Sequence, residues 1–124
     1  TAMHADYWVP VRPGTDAALG LAIARELIER RMHDEALLRE QTDLPLLVRT
    51  DTRRYLRAAE VDGGREDQLY FFDTATGHIA PAPRATLRHG FTPALEGEYE
   101  VTLADGSRVT VTPVFAQLRR QLDA

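Results

Sequence analysis

The chain has 124 residues, 44% of them hydrophobic and 27% charged, which suits one ordinary domain with a real core. Its 19 acidic and 15 basic residues leave a net charge of −4, which argues against a nucleic-acid partner, and every basic residue is Arg. The absence of cysteine excludes disulfides, thiolate metal sites, cysteine-bound iron–sulfur clusters and a cysteine nucleophile from this chain, and no apolar run approaches membrane-spanning length.

The start, Thr1-Ala2-Met3-His4-Ala5-Asp6, carries no signal-peptide pattern and runs almost at once into apolar residues. A piece of a longer protein is expected to begin in this way. Tyr7-Trp8-Val9 with Val11 reads as a short buried strand, ended by Pro10 and Pro13, which cannot donate to a ladder. Gly14 frees the turn, Thr15 is an expected N-cap, and Asp16 sits at the positive end of a helix dipole. The helix is expected over 16–31. Ala18, Leu19, Ala22, Ile23 and Leu27 form an apolar face that should pack against something sizeable, such as a parallel sheet.

Asp34 is placed to cap a second, short helix through Glu40, and 46–48 is expected to be extended. Residues 49–57 read as a partly helical connection and 61–67 as a polar loop. A hairpin follows, 68–72 returning as 78–80 through Asp73-Thr74-Ala75-Thr76-Gly77. The stretch 81–93 is expected to be irregular. A second hairpin joins 98–103 to 107–112 across Ala104-Asp105-Gly106, with both arms alternating polar and apolar. Thr112 and Pro113 read as N-cap and first residue of a last helix, with Val114, Phe115, Leu118 and Leu122 as its apolar face.

Chemistry has few places to sit. Backbone N–H groups at the Gly14-Thr15-Asp16 helix start favour an anion or a polar ligand. The same residues also serve as a plain cap with dipole compensation, and the residues by themselves leave both readings open. The four histidines, His4, His33, His78 and His89, are dispersed without metal-ligand spacing. Arg49, Arg53, Arg54 and Arg57 could hold a phosphate or face a partner subunit, but Asp43, Asp51 and Glu60 nearby favour a solvated, ion-paired face. Tyr70, Phe71 and Phe72 read as core or subunit contact.

The stretch Ala5-Asp6-Tyr7-Trp8-Val9-Pro10-Val11-Arg12-Pro13-Gly14-Thr15-Asp16-Ala17-Ala18-Leu19 resembles a segment of the dimethyl sulfoxide reductase superfamily. His33-Asp34-Glu35 with Gln41-Thr42-Asp43 is similar to that family's continuation. Residues 44–51, Tyr55-Leu56-Arg57, 93–97 and the last hairpin resemble a branch related to nitrate, perchlorate and ethylbenzene-type enzymes. The resemblance implies a molybdenum or tungsten oxidoreductase carrying a molybdopterin guanine dinucleotide. It implies that Gly14, Thr15 and Asp16 meet the guanosine while Arg12 and Pro13 shape the turn. A carboxylate there accepts two parallel hydrogen bonds from guanine N1–H and its exocyclic amine, which adenine does not offer.

The family's iron–sulfur cysteines and its metal ligand are not recognisable here, so the piece alone is expected to be inactive, with no catalytic and no metal-binding residue. The expected fold is α/β: a partial Rossmann-like strand–turn–helix segment, a β-hairpin elaboration and a C-terminal helix, forming one part of a guanine-nucleotide-binding domain. The implied partners are the remainder of a catalytic subunit and an iron–sulfur electron-transfer subunit, in the cytoplasm or periplasm of a bacterium or archaeon. A homodimer of the piece is expected from exposed apolar surface. The rival from another class is a non-catalytic α+β interaction module in which the Thr15-Asp16 turn is only a cap.

Overall fold

A computed structural model describes residues 2–84 and 88–124. After a short 3-10 turn at Ala2–His4, the order is α1 (Asp16–Glu29), α2 (Glu35–Gln41), β1 (Leu47–Arg49), α3 (Ala58–Val61), β2 (Tyr70–Asp73), β3 (His78–Pro81), β4 (Tyr99–Thr102), β5 (Arg108–Pro113) and α4 (Val114–Asp123). The α/β character of the chain is therefore present. Both expected hairpins form, β2 with β3 and β4 with β5, and β1 adds to β5 to give the sheet order β1-β5-β4. The irregular stretch 81–93 is shorter than expected, since Pro81 closes β3 and Pro93 bridges Asp73, while 85–87 lie outside the described residues.

Alternation explains the sheets. Val101, Leu103 and Val111 point inward from the second hairpin and meet Leu47, Leu56, Ala58 and Tyr70. Leu47, Leu56 and Val111 are completely buried. Each such side chain contributes about 1.5–3 kcal/mol of burial. Asp73 is buried at the end of β2, where its carboxylate accepts the amides of Thr92 at 3.0 Å and Ala75 at 3.2 Å. The Thr92 amide is the strongest influence holding the Asp73 carboxyl below the ordinary aspartate range.

Four expectations need correction. Residues 7–11 form no strand: every ladder among the described residues is antiparallel and none includes them. Tyr7, Trp8 and Val9 are 90%, 72% and 68% exposed. An extended segment with two prolines and no neighbouring strand has nothing to take its hydrogen bonds, so the strand half of the strand–turn–helix unit is missing here. Secondly, no residue of α1 is buried, and Leu19, Leu21, Ile23 and Leu27 are 40–53% exposed. The helix touches α4, with Arg25 Nε 3.8 Å from Asp123 Oδ1, and no strand packs against it to a comparable extent.

The third concerns 49–57, which are not helical. They form a turn followed by the isolated bridges Val48–Tyr55 and Arg57–Leu69, and the helical residues begin only at Ala58. Arg53 adopts a left-handed φ of 57°, which ends any helical run. The fourth is Thr112, which lies in β5 and is not the cap of α4. Main-chain carbonyls of Leu46 and Leu44 already accept the amides of Val114 and Phe115, at 3.0 and 2.9 Å. The Thr112 hydroxyl is thus free to donate to Gly97 O at 2.8 Å, fixing the loop before β4.

Candidate functional site

Arg12, Pro13, Gly14, Thr15 and Asp16 form one tight, exposed turn at the mouth of α1. Both the amide and the hydroxyl of Thr15 donate to Arg12 O, at 3.1 and 2.8 Å. Thr15 stands at the N-cap position, but its hydroxyl closes the turn and does not cap the helix. Gly14 has a φ of 84°, a conformation that strains any L side chain, and no atom lies within 4 Å of the place its Cβ would occupy. The loop surface at Gly14 is therefore open to an incoming group.

The first bond of the helical ladder runs from Leu19 N–H to Thr15 O at 3.1 Å. The amides of Asp16, Ala17 and Ala18 precede that ladder and point out of the helix end. The Asp16 carboxylate makes no hydrogen bond or ion pair among the described residues. One short stretch thus presents free donors, a free two-oxygen acceptor and unobstructed backbone. It can receive a polar ring that offers adjacent N–H groups.

Among the described residues no three His, Asp or Glu side chains converge as a metal centre would need. A cleft of about 690 Å³ lies between α1, α4 and the loop before β4, lined by Arg25, His33, Arg39, Glu96 and Arg119 among others. None of residues 12–16 reaches it. In that cleft His33 packs on Phe115 with ring centroids 5.5 Å apart, while its Nδ1 and the Nε of Arg39 are buried without a hydrogen-bond partner. The sequence carries no signal for this, because His33 stands there only as one of four dispersed histidines.

No protein-family model matches the chain. Individual relatives do. The perchlorate reductase subunit alpha of Dechloromonas aromatica is 36% identical over a 151-residue alignment that takes in 100% of this chain and 16% of that protein. The respiratory nitrate reductase subunit alpha of Haloferax mediterranei is 37% identical, covering 98% of the chain and 14% of its own length. The chain belongs to the dimethyl sulfoxide reductase superfamily. A third member, the dimethylsulfide dehydrogenase subunit alpha of Rhodovulum sulfidophilum, is 33% identical over 98% of the chain and 14% of that protein. The chain thus spans about one seventh of the length of the superfamily members it matches. All three are named as alpha subunits of a reductase or dehydrogenase. No described helix of this superfamily member is long and apolar enough to cross a membrane.

Proposed function

We propose that this chain holds the guanine end of a molybdopterin guanine dinucleotide, with molybdenum or tungsten, within a larger oxidoreductase catalytic subunit. The observation that carries the reading is the unpaired Asp16 carboxylate beside three free helix-end amides, in a chain aligned along its whole length with such subunits. When bound, the cofactor supplies two-electron oxygen-atom or hydride-type transfer at its metal. The residues of this chain bind and orient. Asp16 accepts guanine N1–H and the exocyclic amine together, Gly14 lets the base approach the backbone, and Thr15 and Arg12 lock the turn.

The rest of the catalytic subunit covers the apolar face of α1 and residues 7–9, whose exposure is otherwise costly at about 25 cal/mol per Å². An iron–sulfur electron-transfer subunit is the further partner. The test is direct: purify the parent subunit, release its nucleotide with acid and identify the base. Guanine nucleotide in stoichiometry with molybdenum or tungsten is the expected result. Adenine or cytosine nucleotide, or none, rejects the reading.

A further inference from the structure

Arg53 and Arg54 stand at a rigid corner. The Arg53 amide donates to Arg49 O and the Arg49 amide to Arg54 O, both at 2.9 Å, and Val48 bridges Tyr55. Arg53 sits at a φ of 57°, where Gly or Asn is the usual residue. A non-glycine residue held there is a reason to look for function.

The nearby carboxylates do not neutralise this corner. Arg49 takes both of them, with Nη2 2.7 Å from Asp51 and Nη1 2.5 Å from Glu60. Arg53 and Arg54 have no carboxylate partner among the described residues, and Arg57 donates Nη1 to the main-chain oxygen of Glu66, which leaves its charge in place. Arg53, Arg54 and Arg57 line one open cleft of about 670 Å³ together with Val48, Tyr55 and Val114, and Glu66 is the one carboxylate among its described lining residues. On a chain of net charge −4 this is a local concentration of positive charge. None of residues 12–16 lines it.

We propose that this cleft docks an acidic segment of a separate polypeptide. Its carboxylates pair with Arg53, Arg54 and Arg57, and an apolar side chain between them rests on Tyr55 and Val114. The planar guanidinium fork matches a carboxylate in two bonds, and a cleft that lines its arginines with Val48, Tyr55 and Val114 suits a peptide with an apolar side chain better than an isolated phosphate. This assignment is independent of the nucleotide reading.

The test is a fluorescence-anisotropy titration of the chain with a labelled peptide, Glu-Glu-Leu-Glu-Asp-Leu-Glu-Glu, at about 50 mM and about 300 mM salt, spanning the change in screening length. Saturable binding that weakens with salt is expected. The double variant Arg53→Gly/Arg54→Ser should bind at least about 10-fold more weakly, the size of one lost charged contact. Arg53→Gly relieves the left-handed conformation, so the variant stays folded, which circular dichroism checks. Arg65→Ser/Arg108→Ser, removing two exposed arginines from elsewhere, should bind as the parent does. Equal binding by the Arg53/Arg54 variant, or no binding by the unaltered chain, overturns the proposal. Tight binding of inorganic pyrophosphate that the peptide does not displace also overturns it, in favour of a phosphate site.

Discussion

Phe72 on β2 and Tyr99 on β4 lie face to face, with ring centroids 3.6 Å apart and planes 8° apart. The stack joins the two-stranded sheet to the three-stranded one, and Tyr99 Oη adds a hydrogen bond to Glu96 O at 2.8 Å. Tyr99→Leu keeps most of the apolar area but loses the stack and this bond. A loss of about 1–2.5 kcal/mol in urea unfolding is expected. A change within about 0.3 kcal/mol would show that the stack does not hold the sheets together.

Gly97 and Gly20 should respond in opposite directions to alanine. Gly97 has a φ of 105°, and a Cβ there would lie 2.7 Å from Tyr99 Oη. Gly20 is helical, with nothing within 4 Å of its Cβ position. Gly97→Ala should destabilise by about 1–3 kcal/mol, and Gly20→Ala should stabilise by up to about 1 kcal/mol. Thermal melting of the two single variants checks the pair, and the same sign for both would contradict it.

Asp73 sets part of the acid limit. Its folded pKa lies below the ordinary 3.8, chiefly through the Thr92 amide, so the unfolded chain takes up the proton first. Its stabilisation is fully present above the unfolded value and is lost as pH falls through the folded one. Asp51, held at about 2 mainly by its hydrogen bonds to Arg49, works in the same direction. Asp73→Asn keeps an oxygen for both amides but cannot titrate. Urea midpoints between about pH 2 and pH 5 should fall less steeply in the variant. Identical slopes would remove Asp73 from the acid response.

The apolar surface of α1 should make the chain sticky. Leu21 and Ile23 are 52% and 53% exposed, close to Trp8 and Val9 in sequence. Concentration-dependent association in sedimentation and binding of an apolar dye are expected. Leu21→Gln/Ile23→Gln should reduce both while leaving circular dichroism unchanged. A compact monomer at all concentrations, with no dye bound, would contradict this.

The elements legible in the sequence are those whose causes are local. Asp34 caps α2 through Leu37 N–H at 3.0 Å, as its position before Glu35 indicates. The alternation of 99–102 and 108–113 gives the second hairpin, and the apolar spacing of 114–122 gives α4. What could not be read depends on distant partners. The apolar pattern of 7–11 and of α1 reports a capacity for burial, which the described residues do not themselves satisfy. The division of charges, with Arg49 holding Asp51 and Glu60 while Arg53 and Arg54 stay free, follows from a turn whose left-handed residue no motif announces. At the candidate site, the turn and the helix start were legible, but the role of the Thr15 hydroxyl was not, because its acceptor is the Arg12 carbonyl inside the same turn.

The guanine content of the Asp16→Asn parent subunit tests the proposed function most directly. Asn keeps the shape of the side chain but presents one acceptor and one donor where the carboxylate presents two acceptors. One guanine donor then faces another donor, a mismatch of about 1–3 kcal/mol. Guanine nucleotide released per polypeptide should fall well below that of the unaltered enzyme, with the melting temperature of the cofactor-free protein nearly unchanged. Full guanine occupancy with lowered melting would contradict the binding role and leave Asp16 as helix-dipole compensation alone.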